Sequence, residues 1–413
     1  MKPITACALA TLILVLTATS SLAEESEAAS PLDAVTGGKL LLNLRPRYEY
    51  VEQDGKAEDA NALTLRTLLG WQTGTYRGFS VLAQMIDVGR GNENYNDTKN
   101  GKTQFPVVAD PDNTDLNQAY LDYTGLPDTT LRLGKQSIKI DNVRFVGNVE
   151  FRQVMQVFTG ATAENKSLPG IALYGGHLER LKTIFGDQQE IRLDILHGTW
   201  EWKPGNNLVG YGYFDDSPKT ASATGFSDNS NRIAGLRADG AYPIGDNLQL
   251  LYTAEYARQN HYADGDSRID AEYMHGGAGL GWDGFFARMD YELLGSNGGV
   301  YAFQTPLGTN HLFQGWADLF LTTPVQGIRD RYLTVGGTIA KAKLTAEYHD
   351  FKSDFGNIHY GQEFDFGVTY PFRKGLNGKI EYASFREGDI LTPASARKRD
   401  TDKLWLTVVY NFE

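Results

Sequence analysis

Apolar and polar side chains alternate with a period of two along most of this 413-residue chain. In the segment Lys403–Phe412, one face carries Leu404, Leu406, Val408, Tyr410 and Phe412, and the other carries Trp405, Thr407, Val409 and Asn411. Segments around residues 40–50, 285–293 and 364–370 repeat the pattern. A period of two is typical of β-strands whose two faces meet different surroundings, and a helical stripe is hard to find. We therefore predict an all-β fold.

The N-terminal residues 1–23 have the features of a secretory signal peptide. Lys2 precedes an apolar run from Ile4 to Ala18, and Ser21-Leu22-Ala23 offers a small-x-small cleavage site. The run of about 15 residues is shorter than the roughly 20 that cross a bilayer as a helix, and no later stretch is long enough. The chain is therefore predicted to be exported and not to be an inner-membrane helical bundle. Cys7, the only cysteine, is lost with the signal.

Two exported classes remain, a soluble β-protein and an outer-membrane barrel, and the connection lengths distinguish them. We predict about 18 strands, at 39–51, 61–72, 78–88, 116–124, 129–139, 153–164, 169–177, 189–202, 207–215, 230–242, 247–260, 271–282, 285–295, 329–340, 342–352, 361–371, 376–387 and 402–412. Short connections rich in Pro, Gly, Asn and Asp alternate with long ones such as 89–115, 140–152 and 296–328. Short periplasmic turns, long extracellular loops and aromatic girdles are typical of a transmembrane up-and-down antiparallel β-barrel.

The sequence then divides into a signal peptide (1–23), a short flexible periplasmic leader (24–38) and one transmembrane barrel domain (39–413). We predict localisation in the outer membrane of a Gram-negative bacterium, with the lipid bilayer as a partner and both termini in the periplasm. The aromatic last strand, which ends at Phe412 before Glu413, is the expected signal for the outer-membrane assembly machinery.

Charge and motifs exclude several other functions. A formal net charge of −12 argues against a nucleic-acid partner. No GxSxG elbow, P-loop or HExxH motif is present, so neither an enzyme nor a cofactor is predicted. The histidines are scattered without metal-ligand spacing, so no metal site is predicted. The closest two, His349 and His359, lie on either side of an external loop, and a surface metal site there is the alternative.

The polar faces of the strands are predicted to line the lumen, because a charge on the lipid side costs about 2–4 kcal/mol at the membrane midplane. This parity places the following side chains inside: Arg45, Arg47, Glu49, Thr64, Arg66, Arg132, Gln136, Arg288, Asp290, Glu292, Lys379 and Glu381. Each of them either contacts a solute or is paired with an opposite charge in a water-filled lumen.

Two segments break the alternation and are predicted to fold into the barrel. Ile140–Gln153 holds Arg144 and Arg152 among bulky apolar residues. Inside the pore, their planar guanidinium groups either favour anionic solutes or are tied to acids of the wall. Gly308–Pro324 lies in the longest extracellular loop but is too apolar for a freely solvated one, so it is expected to pack back into the barrel mouth.

Two blocks of the sequence carry a recognisable pattern. The first comprises Leu131-Arg132-Leu133-Gly134-Lys135-Gln136, Arg144-Phe145-Val146-Gly147-Asn148 and Phe151-Arg152-Gln153, and the second comprises Thr309-Asn310-His311, Gly315-Trp316-Ala317-Asp318 and Phe320-Leu321-Thr322-Thr323-Pro324. Together they resemble the alginate-export family of outer-membrane porins, although Lys135 stands where an arginine is often found. The resemblance implies an 18-stranded barrel with an electropositive, Arg-lined constriction through which anionic polysaccharide such as alginate leaves the cell. It assigns Arg132, Arg144 and Arg152 to that constriction, with Arg47 and Arg66 as candidates on the wall.

We predict a passive channel for the diffusion or export of anionic saccharides, with an alginate-like polysaccharide or oligosaccharide as its partner. This hypothesis predicts that Arg144→Glu reverses or abolishes anion selectivity. The alternative is a general, weakly selective porin for small organic solutes, in which lumen acids neutralise the arginines. A third alternative, from a different class, is an outer-membrane hydrolase or adhesin.

Overall fold

The strands form a closed antiparallel barrel. The computed structural model describes residues 27–217, 226–389 and 400–412, so the predicted signal peptide lies outside the described residues. Within these ranges, eighteen strands each pair with their neighbours along the chain, and the last strand pairs with the first. The described residues contain no helix that is long and apolar enough to cross a membrane.

The strands in chain order are β1 (Lys39–Gln53), β2 (Ala60–Gln72), β3 (Phe79–Arg90), β4 (Asn113–Leu126), β5 (Thr129–Gln136), β6 (Val157–Leu168), β7 (Ile171–Lys182), β8 (Gln188–Lys203), β9 (Asn206–Asp215), β10 (Asn231–Pro243), β11 (Leu248–His261), β12 (Asp270–Trp282), β13 (Phe285–Leu294), β14 (Ser296–Asn297), β15 (Tyr301–Ala302), β16 (Ile328–Ile339), β17 (Ala342–Lys352), β18 (His359–Arg373), β19 (Leu376–Glu387) and β20 (Thr401–Phe412). The short strands β14 and β15 form a hairpin of their own outside the barrel sheet.

The predicted strands and the predicted fold class are confirmed, with shifted boundaries at several ends. The shift is clearest between β5 and β6, where the sequence predicted strands at 129–139 and 153–164. The structure ends β5 at Gln136 and begins β6 at Val157, because residues 137–156 leave the sheet and fold inward.

The two faces of each strand follow the predicted parity. On β1, Leu40 is exposed on the outer face, whereas Arg45, Arg47 and Glu49 are buried on the inner face. Exposed aromatic side chains cluster toward the two ends of the outer wall, and these include Trp71, Phe79, Trp200, Trp202, Trp282, Phe372 and Phe412 at one end and Tyr256, Tyr348, Phe364 and Tyr382 at the other. Two such girdles suit a barrel that spans a bilayer.

Short and long connections lie at opposite ends of the barrel. Residues 127–128, 204–205 and 283–284 are tight turns at what we call the short-turn end, and residues 91–112, 137–156 and 295–327 leave from the long-loop end. Part of the predicted leader is helical, since Pro31–Thr36 forms α1 with Ser30 as its N-cap. Trp71 Nε1 donates to Val35 O at 3.0 Å, so this helix is held at the short-turn end instead of extending as a free chain.

Candidate functional site inside the barrel

Two long connections fold into the lumen and bind each other. Loop A is residues 137–156, between β5 and β6, and loop B is residues 295–327, between β13 and β16. The Gly147 N–H donates to Leu307 O at 2.9 Å, and the Thr309 N–H donates to Val143 O at 2.9 Å. A Cβ on Gly147 would lie 2.3 Å from Thr309 Oγ1, so this close approach requires glycine. The predicted infolding of both segments is therefore confirmed.

Aromatic packing holds the tip of loop A against the inner wall. The Phe145 ring lies 5.3 Å from the Tyr211 ring, 5.3 Å from the Tyr273 ring and 5.9 Å from the Phe303 ring. Tilted and edge-on aromatic contacts at these distances add to the free energy gained by burial. Loop A is thereby packed between loop B and the wall that β9 and β12 form.

Arg45 fastens the other end of loop A to β1. Its Nε donates to Gln153 Oε1 at 2.9 Å, its Nη1 donates to the Glu150 carbonyl at 2.7 Å, and its Nη2 donates to the Arg152 carbonyl. Gln153 also donates to Thr64 Oγ1 on β2 at 2.7 Å. Strand parity predicts that Arg45 faces the lumen, but it does not predict these partners, which come from a distant loop.

Arg144 lies inside the barrel, but a wall carboxylate neutralises its charge. Its Nε is 2.9 Å from Glu292 Oε1 on β13, and its Nη2 donates to Gln314 Oε1 in loop B at 2.9 Å. The side chain is 1% exposed. Burial opposes its charge, yet Glu292 and Tyr273 outweigh burial, so the pKa of Arg144 lies above its ordinary value. Arg144 therefore connects loop A, loop B and β13, and is paired instead of free.

Arg152 is the centre of a second buried ion-pair network. It is 3.2 Å from Glu49 Oε2 on β1 and 2.7 Å from Asp318 Oδ2 in loop B. Asp318 also lies 2.7 Å from His311 Nδ1 and 3.4 Å from Lys403 Nζ. Burial alone would raise the pKa of Asp318, but His311, Lys403 and Arg152 hold this pKa well below its usual range. The carboxylate is therefore ionised at neutral pH.

Arg132 stands apart on the β5 wall. It forms a two-pronged ion pair with Asp122 of β4, at 2.6 and 2.8 Å, and its guanidinium lies 3.7 Å from the centroid of the Tyr120 ring. These contacts are with β4 and not with loop A. The structure thus brings Arg144 and Arg152 into one assembly of loops and leaves Arg132 on the wall.

Arg47 and Arg66 differ from these three because, among the described residues, neither guanidinium group has a carboxylate within hydrogen-bond distance. Arg66 donates from Nη2 to Asn43 Oδ1 at 2.9 Å, while its Nε and Nη1 are buried and unpaired. Arg47 donates from Nε to Thr407 Oγ1 at 3.3 Å, and its Nη1 remains 3.9 Å from Asp110 Oδ2. Both residues are at most 3% exposed. Arg45, Arg47 and Arg66 together form what we call the basic patch.

Carboxylates dominate another part of the inner wall, away from the basic patch. The buried inward-facing acids of β13 to β18 are Asp290, Glu292, Asp330, Glu363 and Asp365. Arginine-rich and carboxylate-rich walls thus lie on different sectors of one lumen. Charges arranged in this way create a field that depends on the local lining charges and not on the total charge.

Comparisons with known proteins agree with this architecture. The sequence model of a family described as "Alginate export" matches residues 42–291. Among solved structures, OccK9 (OpdG) of Pseudomonas aeruginosa superposes with a TM-score of 0.70 at 15% identity, covering 92% of this chain and 99% of that one. OccAB2 of Acinetobacter baumannii gives 0.71 at 14% identity, covering 92% and 99%. OpdK of P. aeruginosa gives 0.69 at 14%, covering 91% and 98%. Sequence identities this low establish the shared fold alone. A comparison with curated protein sequences found no match.

Proposed function

Because this chain belongs to the Alginate export family and has the fold of an outer-membrane channel, we propose that anionic saccharides diffuse through its lumen past the basic patch. The family and the barrel are those of a porin in the outer membrane. We propose three further points: the solute is an acidic saccharide, it has a direction of transport, and the arginines act on it.

The observation that carries the proposal is that Arg66 and Arg47 keep guanidinium nitrogens without a hydrogen-bond partner. Arg66 Nε, Arg66 Nη1 and Arg47 Nη1 are buried without a hydrogen-bond partner in the described part of the chain. A buried donor without an acceptor costs about 1–3 kcal/mol, and more when it is charged. A carboxylate of a uronic-acid unit offers two acceptor oxygens that match the guanidinium fork. Such a solute would satisfy donors that the protein leaves open.

The proposed orientation places the short-turn end, α1 and both chain termini in the periplasm. Loops A and B then enter the lumen from the extracellular side, and loop A lies beside the basic patch. A solute from the periplasm would meet the arginines of β1 and β2 from below these loops. Its passage needs no energy source in this proposal.

A second candidate function is the weakly selective porin for small organic solutes. Arg132, Arg144 and Arg152 are each paired with a carboxylate, as that hypothesis requires. One protein of the same fold, OpdK, was crystallised with vanillate, a small aromatic acid. The two candidates differ in two properties. The first is whether Arg47 and Arg66 give the pore a preference for anions, and the second is whether binding in the pore depends on the length of the saccharide.

Planar-bilayer recordings of the full chain test the proposal. We expect the reversal potential in a KCl gradient to show anion preference, and we expect alginate oligosaccharides to block current at lower concentrations than neutral dextrins of equal length. Arg66→Gln should weaken both effects. Arg258→Gln is the matched control, because Arg258 is exposed on the outer wall and pairs with Asp270. Cation preference in the wild type, or equal block by neutral dextrins, would overturn the proposal.

A further inference from the structure

The carboxylate-rich wall contains a group of side chains arranged like metal ligands. Glu347 and His349 are two residues apart on β17, and Glu363 and Asp365 are two residues apart on β18. In the strand register, Glu347 lies opposite Asp365, and His349 lies opposite Glu363. All four side chains point inward, and three of them are buried.

The repulsion between these acids is poorly compensated. Like charges directly opposite each other on neighbouring strands are destabilising. Asp330 of β16 adds a further carboxylate 2.9 Å from His349 Nδ1. Within residues 27–217, 226–389 and 400–412, no lysine or arginine forms an ion pair with Asp330, Glu347 or Asp365, and their ion-pair partner there is His349. The single imidazole of His349 is therefore the ion-pair partner of three carboxylates in these ranges.

His349 itself supplies an independent indication of a ligand. Its side chain is 4% exposed, and its Nε2 has no hydrogen-bond partner in the described residues. The other ring nitrogen, Nδ1, contacts the Asp330 carboxylate at 2.9 and 3.1 Å. A metal-binding histidine almost always donates its second ring N–H to a carboxylate in this way, which leaves the remaining nitrogen as a lone-pair donor to the ion.

The distances around Nε2 suit a small divalent cation. Glu347 Oε2 is 3.5 Å and Asp365 Oδ2 is 3.7 Å from His349 Nε2. Two ligands of a tetrahedral ion with bonds of about 2.1 Å are about 3.4 Å apart. These separations are too long for good hydrogen bonds and close to those of two ligands that share an ion. One nitrogen and two carboxylate oxygens form a donor set typical of Zn²⁺ and its neighbours in the first transition row.

We infer that Glu347, His349 and Asp365 form a binding site for a divalent transition-metal ion, with Asp330 orienting the histidine. The Glu347 side chain is 19% exposed, which gives an ion access from the lumen. The inference is independent of which solute the channel conducts.

The same group of acids also holds loop B. The Ala317 N–H donates to Glu363 Oε1 at 2.6 Å, and the Trp316 N–H approaches Asp365 Oδ2 at 3.4 Å. Gly315 has φ +81°, and a Cβ there would lie 2.5 Å from Glu363, so the loop backbone comes unusually close to these carboxylates. An ion bound at His349 would offset their negative charge and fix them in position to receive the loop. The metal thereby stabilises loop B inside the lumen.

Titration of the detergent-solubilised full chain with Co²⁺, after chelator treatment, tests the site. We expect the wild type to bind about one Co²⁺ per chain with a ligand-field absorption band that Zn²⁺ removes by displacement. His349→Gln should lower the affinity at least tenfold, and Asp330→Asn should lower it about 10- to 100-fold. A folded barrel migrates faster on a gel than the unfolded chain. Zn²⁺ should also raise the temperature at which this faster migration is lost in the wild type, and it should leave the corresponding temperature of His349→Gln unchanged.

His275→Gln is the matched control, because His275 Nε2 already lies 2.9 Å from Asp290 and 3.2 Å from the Tyr332 hydroxyl. This variant should bind Co²⁺ as the wild type does. If His349→Gln does not fold, as judged by gel mobility without boiling, Glu347→Gln at the lumen surface is used and should show the same loss. Absence of the absorption band in the wild type, or an unchanged band in the folded variants, would instead identify His349 as an imidazolium paired with its acids and overturn the inference.

Discussion

Arg45 and Arg66 lie directly opposite each other in the β1–β2 register, so two guanidinium groups share one cross-strand position of the inner wall. Like charges in this arrangement are destabilising. Arg45 is compensated by three acceptors from loop A, whereas Arg66 has Asn43 as its one hydrogen-bond acceptor among the described residues. The fold therefore retains at Arg66 a positive charge that stability does not require, and such sites are candidates for function.

Replacing Arg66 should lower the anion preference of the channel without lowering its stability. In Arg66→Gln we expect the free energy of unfolding to stay constant or rise by about 1 kcal/mol, because a like-charge contact and unpaired buried donors disappear. The anion-to-cation permeability ratio should fall in the same variant. The free energy of unfolding is measured by urea titration in detergent, with gel mobility as the readout. The permeability ratio is measured from reversal potentials. Arg45→Gln should instead lose stability, since loop A loses its anchor; similar behaviour of both variants would contradict this account.

Arg144→Gln should act through stability and not through selectivity. The change removes the cation paired with Glu292, and breaking one side of a buried ion pair typically costs about 3–5 kcal/mol. We expect a large loss in the free energy of unfolding, with Arg258→Gln on the outer wall staying within about 0.5 kcal/mol of the wild type. The double variant Arg144→Gln/Glu292→Gln should recover part of the loss. If Arg144→Gln equals the outer-wall control, the buried pair contributes nothing.

The barrel could be predicted from sequence because its pattern is local. Each strand has one face toward lipid and one toward the lumen, so alternation within ten residues reveals both the strand and its inner side chains. In the structure, Arg47, Arg66 and Arg132 lie on the inner side of this alternation. The apolar content of 140–153 and 308–324 also revealed that these loops leave the solvent.

The ion pairs could not be predicted, because they join residues far apart in the chain. Arg152 reaches Glu49 across 103 positions, and Arg144 reaches Gln314 across 170. No local pattern fixes such a pairing. His359 is the histidine nearest to His349 in the sequence, but strand parity puts His349 on one face with Glu347. Finding Asp365 opposite Glu347 needed the exact hairpin register, which a bulge between Phe351 and Lys352 shifts.

Neutralising Asp318 should strengthen anion preference. Asp318 balances Arg152 at 2.7 Å and Lys403 at 3.4 Å, so Asp318→Asn leaves both cations with less compensation. We expect the anion-to-cation permeability ratio to rise by roughly twofold or more, because the local lining charges set the field in a narrow lumen. Asp270→Asn, which removes an exposed carboxylate paired with Arg258, is the control and should leave the ratio unchanged. An unchanged ratio in Asp318→Asn would show that this network does not face the permeation path.

Acid should weaken the contact between loop B and loop A through His311. The imidazole is buried and stacks on Phe151 at 3.3 Å between ring centroids. Burial opposes its charge more strongly than Asp318 favours it, so the pKa of His311 lies below its ordinary value of 6.5. The unfolded chain therefore takes up this proton at higher pH than the folded chain does. The corresponding stability is fully present above pH 6.5 and is lost as the pH falls below it.

Unfolding of the wild type and of His311→Gln, compared at about pH 7.5 and about pH 5.5, measures this contribution. We expect acidification to cost the wild type more stability than the variant, because only the wild type must then protonate a buried imidazole. His177→Gln, on the exposed outer wall, controls for the loss of an imidazole as such. If His311→Gln loses as much stability on acidification as the wild type, the buried ring is not what couples loop B to pH.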